Sequence, residues 1–168
     1  NSSGAVYVDT SALIPLAVSE VHSAWAKQVL DDKDLVSSVI AKVELARVPK
    51  RTEEFGAQIL GLAAKLNLVG LNSDVVEFAG AIPGFLKALD AIHLGTWLLL
   101  RSREFHCDFV TADRQLARAA TTVGATVIIR LEANSRFSGR GRQRHHVTAG
   151  LAAGGAWDFI FDTIRISH

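Results

Sequence analysis

The chain has 168 residues, 49% hydrophobic and 21% charged, with a formal net charge of +1. That length and apolar content suit one globular domain with a substantial core, and the near-neutral balance supplies no whole-molecule basic field that would announce a nucleic-acid binder. A lone cysteine excludes an internal disulfide framework. No run reaches the ~20 apolar residues of a membrane span. The longest, AIHLGTWLLL, holds a histidine and is closed by Arg101.

Methionine is absent. Residues 1–5 (NSSGA) therefore read as a cloning remnant, with the natural chain expected to begin near Val6 or Tyr7. No secretory signal pattern follows. Together with Cys107, which reads as a buried structural thiol, this predicts a cytoplasmic protein.

Residues 5–9 (AVYVD) are short, apolar and rich in β-branched and aromatic types, which predicts a buried strand. Thr10 and Ser11 are then expected to cap a helix starting on Ala12. A helix is predicted over 22–31, and a second strand over 35–38 (LVSS), followed by a serine cap. Apolar residues recur at helical spacing from Val39 to Val48, and Pro49 ends that pattern. In the next helix, 52–66, Phe55, Ile59, Leu62 and Leu66 share one face.

A third strand over 67–71 leads into an Asn-Ser-Asp cap and a helix from Asp74 to Ala81. Pro83-Gly84 breaks the chain before a long helix from Phe85 to Arg101. The fourth strand falls near 107–111, a helix runs from Asp113 to Val123 with Gly124 as its stop, and ATVII is the fifth strand. Strands alternating with helices at this spacing predict a three-layer α/β/α domain around a parallel sheet of about five strands.

After residue 130 the composition changes. Residues 132–146 carry Arg136, Arg140, Arg142 and Arg144, two histidines and two glycines, with little apolar content. Residues 131–168 are expected to form a basic, flexible extension whose origin the sequence leaves open. Holding RNA by counterion release, plain solvated extension and folding back onto an acidic pocket are its three readings.

Four acids dominate the rest: Asp9 in VYVDTSAL, Glu44 in AKVELARV, Asp90 in ALDAIHL and Asp113 in FVTADRQLARAA. Each is embedded in core-forming sequence, where an acid is rare unless something positive holds it. In parallel α/β sheets, functional groups collect beyond the carboxyl ends of the strands. If all four meet there, each pair at about 4 Å costs on the order of 4 kcal/mol at an effective dielectric near 20. Protonation or a bound cation must offset that repulsion.

All-oxygen ligands suit Mg²⁺ or Mn²⁺, and the lack of a Cys/His cluster argues against zinc. Such an ion activates water and neutralises charge at phosphorus, while a neighbouring carboxylate orients or deprotonates the attacking water. Thr10, Ser11 and Thr111 are candidate supporting hydroxyls. His93, one turn after Asp90, reads as a packed histidine or one that supports a ligand from behind. A haloacid-dehalogenase-like phosphatase also opens with a strand-end aspartate, but it needs a second one two residues on, where this chain has Ser11.

VYVDTSAL, VELAR, LDAIHL and FVTADRQLARAA, in that order, resemble the PIN-domain family and within it the VapC-type ribonuclease toxins of prokaryotic toxin–antitoxin pairs. The likeness covers residues 6–130, the expected PIN-like nuclease domain. It implies Asp9, Glu44, Asp90 and Asp113 as the acidic catalytic site, with Asp9, Asp90 and Asp113 toward Mg²⁺ or Mn²⁺. It further implies cleavage of structured RNA such as tRNA or rRNA, a VapB-type antitoxin that blocks the pocket, and a homodimer. The alternative is a catalytically silent PIN-like module that binds RNA or protein.

Overall fold

The computed structural model describes residues 4–17, 23–49 and 52–130. The readings made above for residues 1–3 and for the extension at 131–168 lie outside the described residues. Five strands form one sheet in the order β3-β2-β1-β4-β5: β1 (Ala5–Val8), β2 (Asp34–Ser38), β3 (Asn67–Val69), β4 (Asp108–Thr111) and β5 (Val127–Ile129). Every neighbouring pair is parallel, with Tyr7 opposite Val36 on one side and Phe109 on the other.

Helices α1 (Thr10–Ala17), α2 (Ser23–Leu30), α3 (Ile40–Ala46) and α4 (Glu53–Lys65) cover one face. Helices α5 (Ser73–Gly80), α6 (Ala88–Ser102) and α7 (Arg114–Thr122) cover the other. The core divides accordingly, because successive strand side chains point to opposite faces. Val6 and Val8 pack with Leu13, Leu45 and Ile59, whereas Tyr7 packs with Leu94, Phe109 and Leu116. A parallel sheet buried on both faces requires such continuous apolar strands. The predicted three-layer architecture is the observed one.

Local signals placed most boundaries. The Thr52 hydroxyl accepts from the Phe55 N–H at 3.1 Å, and the Asn72 side chain from the Val75 N–H at 3.0 Å. Caps of this kind are worth about 1 kcal/mol each. Gly124, at φ +92°, ends α7 in the left-handed region that glycine adopts without a Cβ penalty.

Three expectations shift. Helix α6 begins at Ala88 rather than Phe85: Gly84 takes φ +84°, and Phe85 lies exposed in the turn before the helix. Strand β3 stops at Val69, short of the predicted residue 71. Thr10 and Ser11 do not cap a helix at Ala12. The helix already includes them, and the Asp9 carbonyl takes the Ala12 and Leu13 N–H groups. Both hydroxyls turn to carboxylates instead.

Candidate active site

In the order 3-2-1-4-5 the chain runs outward from β1 to β3, then crosses back to β4 on the other side of β1. The two directions diverge at the carboxyl ends of β1 and β4, which leaves a crevice there. Asp9 is the first residue beyond β1, and its N–H donates to the Val110 carbonyl at 3.3 Å. Asp113 follows β4 by two residues and caps α7, its Oδ1 accepting from the Leu116 N–H at 2.8 Å. Glu44 comes from α3 on one face of the sheet and Asp90 from the first turn of α6 on the other. Four distant segments thus bring their acids to one edge.

Asp9 is 4% exposed. Ser11 Oγ donates to its Oδ1 at 2.8 Å, lies 3.2 Å from Thr111 Oγ1 and accepts from the Ala112 N–H at 2.9 Å. Thr111 Oγ1 in turn accepts from the Asp113 N–H at 3.0 Å. A continuous set of bonds therefore runs from Asp9 through the two hydroxyls to the backbone of Asp113. Thr10 serves the other acid, its hydroxyl donating to Glu44 Oε1 at 2.9 Å.

Burial pushes the Asp9 carboxyl above its ordinary range, and the pull of His93 and bonds from Ser11 and Thr111 counter that only in part. Asp90 is also raised, first by burial and then by the charge of Asp113, with Glu44 adding to it and His93 and Lys87 opposing. Glu44 moves the other way. Burial alone would raise it, but the His93 bond and charge, with the Thr10 bond, hold it below the usual carboxylate range. Burial in this cup thus disfavours the ionised form at Asp9 and Asp90, and a bound cation would offset that cost.

Among the described residues, no group of three or more His, Cys, Asp or Glu side chains stands ready to clasp an ion directly. The donors that do converge are carboxylate oxygens beside hydroxyls. Mg²⁺ and Mn²⁺ suit such a set, and Mg²⁺ in particular keeps several waters and commonly takes only one or two carboxylates. The residues present fit that kind of ion.

Every sequence-derived candidate lies at this edge: Asp9, Glu44, Asp90 and Asp113, with Thr10, Ser11 and Thr111 between them. His93 is buried, and its Nε2 stands 2.7 Å from Glu44 Oε1. Sequence reasoning passed over Tyr7, whose hydroxyl lies 2.8 Å from His93 Nδ1. The available signal was a tyrosine in the middle of an apolar strand, since its O–H must find a partner when buried.

Sheet order and acidic edge together define a PIN domain, and residues 6–121 match the PIN domain family. The chain belongs to that family. Within it the likeness runs to VapC proteins. Ribonuclease VapC46 of Mycobacterium tuberculosis (strain ATCC 25618 / H37Rv) is 32% identical over 133 residues, covering 74% of this chain and 96% of the relative. Ribonuclease VapC47 of strain CDC 1551 / Oshkosh is 33% identical over 127 residues, covering 71% and 92%. Among solved structures, VapBC2 from Rickettsia felis, bound to a DNA fragment from its promoter, aligns with a TM-score of 0.53 at 9% identity. It covers 74% of this chain and 97% of that one, a likeness of fold alone.

Proposed function

We propose that this protein is a Mg²⁺- or Mn²⁺-dependent endoribonuclease toxin that cleaves structured RNA of the tRNA or rRNA class and is neutralised by a cognate VapB-type antitoxin. What carries the reading is the sheet edge that holds Asp9, Glu44, Asp90 and Asp113, where burial raises the Asp9 carboxyl and burial with the charge of Asp113 raises that of Asp90. Kinship with proteins named as VapC ribonucleases supports the reading, as does the fold shared with a VapBC assembly.

Asp9, Asp90 and Asp113 are the residues that would hold the ion. When bound, it supplies a more acidic water and neutralises charge developing at phosphorus. Ser11 and Thr111 fix Asp9 against rotation. Glu44 is the proton acceptor in this scheme. Both of its observed bonds go to Oε1, which leaves Oε2 to orient the attacking water and take its proton. Attack with departure of the 3′ oxygen leaves a 5′-phosphate and a 3′-hydroxyl.

The proposal extends to a homodimer that works in the cytoplasm. Among the described residues, no helix is long and apolar enough to cross a membrane.

The test is cleavage of tRNA and rRNA substrates with Mg²⁺ or Mn²⁺, lost on chelation and lost in Asp9→Asn while the circular dichroism spectrum is retained. Cleavage that survives neutralisation of all four acids refutes the nuclease. Absence of Mn²⁺ binding at millimolar concentration favours the alternative, a catalytically silent PIN-like module that binds RNA or protein.

A further inference from the structure

Tyr7 and His93 are sealed from solvent beside the cup, and the scheme above uses neither. An imidazole in the core is tolerated only when both ring nitrogens are satisfied. Here they are, by Glu44 at 2.7 Å and Tyr7 at 2.8 Å. A carboxylate only accepts, so His93 Nε2 carries the hydrogen given to Glu44. When the imidazole is neutral, Nδ1 accepts from the Tyr7 O–H; when it is charged, Nδ1–H donates to the Tyr7 oxygen, and the series of bonds is unbroken either way.

Ser37 and Thr96 also reach the Tyr7 hydroxyl, but their own hydrogens go to the carbonyls of Val8 at 2.6 Å and Ile92 at 2.7 Å. The tyrosine ring is itself held, stacked on Phe109 at 5.1 Å and 16° and meeting the His93 ring edge-on at 6.0 Å and 76°. The series Phe109–Tyr7–His93–Glu44 therefore runs from the middle of the sheet to the rim. Glu44 needs this support. Its helix has seven residues and buries only Ala41 and Leu45, so beyond the Thr10 hydroxyl little else limits its side-chain rotamers.

The geometry points to Tyr7 and His93 as a positioning pair that acts through Glu44, holding Oε1 so that Oε2 meets the water. An apolar residue at 93 would fill the core without any desolvation cost, so the imidazole must return something at Glu44. This inference rests on the nuclease reading, and the following experiment separates the two.

The full chain is compared as wild type, Tyr7→Phe, His93→Gln and the surface control His106→Gln, on an RNA that the wild type cuts in Mn²⁺. Outer partners of site residues typically contribute about 10- to 100-fold to activity. Tyr7→Phe is expected to lower kcat about 10-fold and His93→Gln up to about 100-fold, with KM and Mn²⁺ affinity within about two-fold of wild type. In a Glu44→Gln background, Tyr7→Phe should add less than about two-fold, because the path through Glu44 is already broken. The imidazole ¹⁵N spectrum should show His93 protonated on Nε2, with Nδ1 shifting in Tyr7→Phe.

Wild-type kcat in both variants, with only thermal stability lowered, overturns the pair, as does a fully additive loss in the Glu44→Gln background. If His93→Gln fails to fold, Tyr7→Phe decides alone, since it keeps the ring. A wild-type chain that cuts no RNA sinks the nuclease instead. The spectrum still judges the pair in that event, and an Nδ1–H tautomer overturns it.

Discussion

Replacing Gly95 with alanine should destabilise the protein, although alanine is the better helix former. Gly95 lies in α6 between His93 and Trp97, where α5 crosses closely. A Cβ there would stand 2.8 Å from the Ala79 nitrogen, 2.9 Å from the Ala79 Cβ and 2.9 Å from the Val75 carbonyl oxygen, against 3.4–4 Å for ordinary contact. The helices must separate by about 0.5 Å or more. Two of the three obstructing atoms are backbone and cannot rotate aside.

Overpacking of this kind costs about 1–3 kcal/mol, here toward the upper end, while helix propensity returns about 1 kcal/mol. The net loss is about 1–2 kcal/mol, equivalent to roughly 2–8 °C in Tm for a domain of this size. Gly61, in α4, has nothing within 4 Å of its added Cβ, so Gly61→Ala should gain about 0.5–1 kcal/mol. Thermal unfolding followed by far-UV circular dichroism measures both. A Gly95→Ala protein as stable as its parent, or two glycine variants moving in the same direction, would refute the close-packing argument.

Asp9→Asn should be more stable than wild type in metal-free buffer at neutral pH. A carboxyl raised on folding costs stability when ionised, so the gap should close as pH falls through the raised value toward 3.8. A gap that ignores pH contradicts it. Ser11→Ala strands the partners at Asp9, Thr111 and Ala112 and should cost about 1–3 kcal/mol, read as a lower urea midpoint at constant slope. A change under about 0.5 kcal/mol, within the range of an ordinary surface substitution, would show that water replaces the hydroxyl. Asn72→Ala should cost about 1 kcal/mol and speed hydrogen exchange at the Val75 amide, which loses its acceptor; an unchanged exchange rate argues that the cap is redundant.

The alternation of strands and helices was legible because period and length both point one way in segments such as AVYV and EEFGAQILGLAAK. The acids were legible because each interrupts core-forming sequence. The start of α6 was misplaced because Phe85 continues the apolar pattern, while the left-handed Gly84 puts it outside the helix. Thr10 and Ser11 carried cap chemistry, and sequence cannot tell which acceptor a hydroxyl will choose when Glu44 arrives from 34 residues away. Tyr7 was hidden for a related reason. A strand aromatic reads as packing, and its partner His93 lies 86 residues further on.

The strand order also governs when the acidic edge can exist. Val8 is hydrogen-bonded to β4 only after Val110 exists to pair with it, and Asp113 comes later still. On a chain emerging from the ribosome Asp9 and Glu44 come first, and the cup cannot close before β4 is made. Order of synthesis therefore acts as a delay: the acidic edge is incomplete until the second half of the sheet has docked.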